Sequence, residues 1–201
     1  MVLLHALGEQ SSSWDAVRAE FEPDFRVIAV DLRGHGDSDW PGTYSFQLMA
    51  DDVVGVLDQL GLEDVALVGH SLGGLVAYLV AQQRPARIHR LVVEDAPPPY
   101  PRDRPVPERP DGPLPFDWAV VEAVNAEFPD PDPAIWTGLS EITAATLLIA
   151  GGPSSHIPPE KLEETARLIP TCSMVTILAG HHIHITQPTE FNAAVAKFVR
   201  S

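Results

Sequence analysis

The chain alternates short, nearly unbroken apolar runs with longer stretches whose apolar residues recur every three or four positions. The runs are VLLHA (2–6), RVIAVD (26–31), VALVGH (65–70), IHRLVVED (88–95), TLLIAG (146–151) and MVTILAG (174–180). Helical spacing occupies 13–21, 45–60, 72–84, 159–169 and 188–200. Side chains alternate across a strand, so a run apolar at successive positions is expected to be covered on both faces. Such runs with helices between them predict an α/β fold: a mostly parallel sheet of about six strands with helices on both faces. Within 45–60, Leu48, Val53, Val56, Leu57 and Leu60 are expected to share the buried face, with Gly61 as the C-terminal cap.

One segment breaks the alternation. No strand pattern occurs between Ala96 and Thr143, and residues 97–115 hold nine of the twenty prolines. Proline fixes φ and removes a backbone donor, which favours extended chain over helix or interior strand. Phe116, Trp118, Phe128 and Trp136 give the segment apolar anchors that a plain linker would not need. The expectation is a single domain, 1–201, with 96–143 as a short lid following the fourth strand. It would lie over the C-terminal edge of the sheet, where open α/β folds bind ligands.

Composition narrows the partners. A chain of 201 residues builds one substantial core, and a net charge of −15 repels nucleic acid and anionic membranes. No run approaches the ~18 apolar residues of a membrane span. MVLLHALG has no basic leader and too short an apolar run to read as a signal peptide. The lone cysteine, Cys172, has no internal disulfide partner, which fits a reducing, cytoplasmic location. Beside an apolar run it is expected to be a structural thiol rather than a nucleophile.

The candidate chemistry begins at Gly69-His70-Ser71-Leu72-Gly73, a G-x-S-x-G at the junction of an apolar strand and an apolar helix. A nucleophile on so sharp a turn needs neighbours almost free of side chain, which Gly69 and Gly73 supply. Gly74 lets the helix pack close to the strands. The helix N-terminus also offers free N–H groups to a developing oxyanion.

With this elbow, the chain resembles the α/β-hydrolase superfamily, serine-nucleophile branch. VLLHALGEQSSSW (2–14) resembles the strand and loop that supply half of the oxyanion hole, and DLRGHGDSD (31–39) the loop after the next strand. ILAGHHIHITQPTEF (177–191) resembles the segment that presents the base before a final helix. The resemblance implies Ser71 as nucleophile, His181 as base, and the N–H groups of Leu72 and Leu7 as oxyanion donors. Ala6 stands where the family usually has glycine. No cofactor is implied: the G-H-G of 34–36 lacks the third glycine of a dinucleotide fingerprint. No metal is expected either, because His181, His182 and His184 have no well-placed cysteine or carboxylate beside them in sequence. His182 and His184 read as loop or lid contacts.

The acid is displaced. In the family it usually follows the strand read here as TLLIAGG, in the form G-x-x-D, and that position is Ser154. Glu94-Asp95, at the end of the strand after the nucleophile helix, offers the alternative. Strand alternation lets only one of the pair face His181, and Asp95 is preferred over Glu94. The working triad is Ser71–His181–Asp95.

Relatives usually carry two strands before the first one recognised here, so RVIAVD is expected at an exposed edge, and the protein as monomer or homodimer. The functional expectation is a serine hydrolase cleaving a small ester, or related acyl substrate, through an acyl-enzyme. Phe116, Trp118 and Trp136 are expected to line its acyl pocket. The alternative, prompted by Ser154 and the missing leading strands, is a non-catalytic or weakly active ligand-binding protein on the same fold.

Overall fold

Six strands hydrogen-bond into one parallel sheet in the computed structural model of the chain, which describes residues 1–102, 105 and 107–201. They are β1 (Val2–Leu4), β2 (Ile28–Val30), β3 (Val65–His70), β4 (Ile88–Glu94), β5 (Ala145–Ala150) and β6 (Cys172–Thr176), in the spatial order β2-β1-β3-β4-β5-β6. Every pairing is parallel, so each connection must cross a face of the sheet. The helices that do so, or close the fold, are α1 (Asp15–Phe21), α2 (Phe46–Gln59), α3 (Leu72–Gln83), α4 (Ala119–Ala126), α5 (Pro133–Thr137), α6 (Pro159–Leu168), α7 (Ile183–Thr186) and α8 (Pro188–Val199).

Strand alternation divides the core in two. Val2, Leu4, Leu67, Leu91, Val93 and Leu148 face α2, α3 and α4; Leu3, Val68, Val92, Leu147 and Ile149 face Trp14, α1 and α8. The central strands are therefore covered on both sides, as their unbroken apolar sequence requires. β6 departs from that expectation. It starts two residues earlier than its apolar run, at Cys172, and Met174 and Val175 are exposed. As an outer strand it has a neighbour on one side only, β5. β2 forms the opposite edge and is half-buried throughout.

The buried face of α2 also differs from the expected one. Phe46, Met49, Ala50, Val53, Val54 and Leu57 are buried, whereas Leu60 is exposed and Leu48 and Val56 only partly covered. The buried stripe begins at Phe46, two positions before Leu48, and Phe46 packs edge-on against Phe128. Ser45 caps the helix by accepting the Leu48 N–H at 3.1 Å, and Gly61 follows the C-cap at φ 58°.

The segment after β4 carries α4 and α5 rather than extended chain throughout. Asp103, Arg104 and Val106 of its proline-rich stretch lie outside the described residues. Tyr44 donates its hydroxyl to Asp117 at 2.6 Å, Trp136 donates its indole N–H to the Pro99 carbonyl at 2.6 Å, and Phe116 bridges to His35. Val120 and Val124 extend into the main core.

Candidate active site

β3 delivers Ser71 to the C-terminal edge of the sheet in a backbone conformation that residues with a side chain avoid, φ 50° and ψ −112°. Its N–H donates to the Glu94 carbonyl at 3.1 Å, and its own carbonyl accepts the Gly74 and Leu75 N–H groups at 3.0 and 3.1 Å. The flanking glycines are required by close approach. A Cβ at Gly69 would lie 2.3 Å from the Gly73 carbonyl oxygen, and one at Gly73 would lie 2.2 Å from that of Leu4. Gly74 meets Ala96 and Val93, so α3 sits tight against β4.

Asp95 immediately follows β4 and takes φ 49°. It is buried, and three donors converge on its carboxylate: Gly151 N–H on Oδ1 at 2.9 Å, His181 Nδ1–H on Oδ2 at 2.8 Å, and the Ser155 hydroxyl on Oδ2. With Nδ1 protonated, a neutral His181 keeps its lone pair on Nε2. A second tie joins the elbow to the loop bearing this histidine: His70 Nε2–H donates to the His181 carbonyl at 2.8 Å. His156 lies edge-on to His181, ring centroids 4.3 Å apart.

Ser71 and Asp95 line one cleft of about 440 Å³, open mouth included, together with Leu7, Leu72, Leu75, Val124, Phe128, Arg102, His156 and Ile157. Leu7 and Leu72 both border this cleft. Phe116, Trp118 and Trp136 do not line it. Phe116 stacks on His35 with centroids 5.7 Å apart and covers Gly8, Trp118 lies beside Phe116, and Trp136 is turned toward Pro99 and Lys161. Val124 and Phe128, from the same segment, take the position expected of them. Ser155 escaped the sequence reading; a second hydroxyl beside Ser154 was its sole signal. Ser154 itself is exposed.

Glu94 points the other way, as alternation requires. Fully buried, it accepts the His184 Nδ1–H at 2.7 Å and the His184 N–H at 2.9 Å. His184 is therefore a buried polar contact stacked on Trp14, not a loop or lid contact, because Glu94 accepts its Nδ1–H in the interior. The sequence sets no carboxylate beside these histidines, but the fold does: Glu9, distant in sequence, lies 3.3 Å from His182 and 3.8 Å from His70. Burial opposes charge throughout this group, yet the attraction between its members wins. The Glu94 and Glu9 carboxylates hold His70 above its ordinary value, and contact with His70 draws Glu9 down to about 2. Glu94 is also held low by His70 and His184.

Two further histidines are neutral for the opposite reason. Burial lowers His5, and it lowers His35 to about 4. His35 accepts the Gly8 N–H at Nε2 (3.1 Å) while its Nδ1–H donates to the Arg33 carbonyl (3.1 Å), and His5 accepts the Leu32 N–H at 3.0 Å. These rings hold the loop carrying Leu7. Burial pushes the Cys172 thiol up to about 11, against nucleophilic use.

A serine on a strained strand-to-helix turn and a histidine oriented by a buried aspartate, both after strands of one parallel sheet, point to the hydrolase class of enzyme. The chain belongs to the alpha/beta hydrolase fold family, whose model matches residues 1–119. It is 28% identical over 255 aligned positions to the sn-1-specific diacylglycerol lipase ABHD11 of Mus musculus, across 99% of this chain and 80% of that protein. To epoxide hydrolase 4 of Mus musculus it is 39% identical over 102 residues, 49% of this chain and only 28% of that protein. Among solved structures, a thermophilic esterase from Thermogutta terrifontis superposes with a TM-score of 0.81 at 26% identity, covering 99% of this chain and 88% of that one. Among the described residues, no helix is long and apolar enough to cross a membrane.

Proposed function

We propose that the protein is a serine hydrolase that cleaves a small ester through an acyl-enzyme. The observation that carries this reading is the 2.8 Å hydrogen bond from His181 Nδ1 to Asp95, in a molecule whose Ser71 sits on the strained elbow. His181 Nε2 takes the Ser71 proton as Oγ attacks the ester carbonyl, and the imidazolium so formed is stabilised by Asp95. The developing oxyanion is held by the N–H groups of Leu72 and Leu7. His181 then protonates the departing alkoxide, and water, deprotonated by the same ring, releases the acid. The ligand-binding alternative drew in part on the uncharged Ser154; the Asp95 carboxylate at His181 counts against that part.

Leu75, Val124, Phe128 and Ile157 give the cleft an apolar side opposite Arg102 and His156. That side supports an acyl group with an apolar face. The segment 96–143 acts as the lid in this reading, since Pro97, Arg102, Val124 and Phe128 border the cleft. A cytoplasmic location suits the single unpaired thiol. The protein works as a monomer or a homodimer on a small molecule, without nucleic acid or membrane as partner.

The test is intact-mass measurement after exposure to a fluorophosphonate probe. Wild type gains one adduct, Ser71→Ala gains none, and Asp95→Asn labels far more slowly. A folded wild type that stays unlabelled overturns the proposal.

A further inference from the structure

Two buried histidines behind the elbow each hold one ring nitrogen that has no hydrogen-bond partner among the described residues: His70 Nδ1 and His184 Nε2. In each ring the other nitrogen is committed. His70 Nε2–H donates to the His181 carbonyl at 2.8 Å, and His184 Nδ1–H to Glu94 at 2.7 Å. Carbonyl and carboxylate oxygens only accept, so these bonds fix the tautomers and leave lone pairs at His70 Nδ1 and His184 Nε2 in the neutral rings. The ring centroids are 5.1 Å apart. The Glu9 carboxylate completes the group, with Oε2 3.8 Å from His70 Nδ1, too long for a hydrogen bond.

We propose that Glu9, His70 and His184 form a binding site for a divalent transition-metal cation of the zinc type. Their donor atoms all lie within 4.8 Å of one another. Zinc takes imidazole and carboxylate donors at about 2.0–2.2 Å, which sets neighbouring donors roughly 3.4 Å apart in a tetrahedron. The group must therefore close by up to about 1.4 Å, and Glu9, half-buried on the loop between β1 and α1, is its one member outside the packed interior. The outer partners are already in place. Metal-bound histidines almost always donate their second N–H to a carboxylate or a carbonyl, and here Glu94 stands behind His184 and the His181 carbonyl behind His70. Two lone pairs and a carboxylate turned toward one another in a buried place repel unless something positive lies among them. Three protein donors leave a fourth position for water.

Such an ion would tie together three segments: the loop carrying Leu7, the elbow, and the loop carrying His181. The rival occupant is a proton shared between His70 and Glu9, and the test separates the two. Untagged, chelator-stripped protein is titrated with zinc chloride by calorimetry and with cobalt chloride by visible absorption. One equivalent of zinc is expected, with a cobalt spectrum of a low-coordinate nitrogen/oxygen site and a melting temperature several degrees higher with saturating zinc. Glu9→Gln and His184→Asn should each weaken binding at least about tenfold, whereas the surface variant His89→Asn should not. Absence of zinc binding, or binding insensitive to both site variants, overturns the site in favour of the proton. Loss of binding in His182→Asn with full retention in Glu9→Gln overturns it too. Should His184→Asn fail to fold, Glu9→Gln, on a half-buried loop residue, still decides. Fluorophosphonate labelling of Ser71 is read without metal, so the two proposals fail separately.

Discussion

His181 Nδ1 lies 2.8 Å from Asp95 Oδ2, although Asp95 belongs to the end of β4 and not to the β5 loop where the family usually carries its acid. The site beside the histidine is filled from a neighbouring strand. β4 and β5 are adjacent and parallel, and the Asp95 N–H donates to the Ile149 carbonyl at 2.8 Å, so both strand ends open onto the same place.

Replacing Asp95 by asparagine keeps the shape and removes the charge that steadies the imidazolium. Turnover of a small ester such as p-nitrophenyl acetate should fall by about 10⁴-fold with little change in KM, as for the aspartate of a protease triad. Wild-type turnover in this variant would remove Asp95 from the reaction.

Glu94→Gln should separate stability from chemistry. It leaves two buried His184 contacts short of a charged partner, costing about 2–3 kcal/mol in a urea unfolding series. The fall in turnover should be far smaller than for Asp95→Asn. A larger kinetic loss in Glu94→Gln would reverse the assignment of the two carboxylates.

Ser155→Ala deletes the hydroxyl that bridges the Asp95 carboxylate and the Ile157 N–H. The loop after β5 then loses its hold on Asp95, and kcat should drop by about tenfold, the value of one charge-assisted hydrogen bond. An unchanged kcat would make this serine a bystander.

Acid should loosen the loop that carries Leu7. His35, packed against His5 with Asp31 nearby, is held to about 4 by burial, against about 6.5 for an unfolded chain. Above pH 6.5 both states are neutral and the arrangement is unpenalised. As pH falls through that window the unfolded chain takes up a proton that the folded ring excludes, and about 3 kcal/mol of stability is lost by pH 4. Urea midpoints at pH 7.5 and 5.0 should therefore differ more for wild type than for His35→Asn. Equal differences would place the acid sensitivity elsewhere.

Gly73→Ala should abolish the fold or cost several kcal/mol, because its Cβ has no room beside the Leu4 carbonyl and backbone cannot yield as a side-chain tip can. Soluble expression and thermal melting would report it; a melting curve like that of wild type would contradict the packing described.

The strands and long helices were legible because central position and amphipathic spacing write themselves into apolar periodicity; β3 matches residue for residue. The β6 boundary was not, since an outer strand need not be apolar on both faces and the apolar run continues into the turn at Ile177–Gly180. Ser71, His181 and Asp95 were readable from local patterns at element ends. The cleft walls were not. Whether Phe128 or Trp118 faces Ser71 depends on how α4 docks, which no spacing within the segment encodes. Glu9 was invisible for a similar reason: only the folded sheet brings the loop after β1 to the histidines.

The approach of Asp95 to His181 from β4 makes the chemistry a property of address rather than of lettering. A motif scan that asks for a carboxylate after β5 finds Ser154 and scores the chain as dead. A search for a carboxylate at His181 Nδ1 finds Asp95 at 2.8 Å. Under the proposed triad, catalogues sorted by sequence signature file such a chain among the silent ones, and the remedy is to search by coordinates.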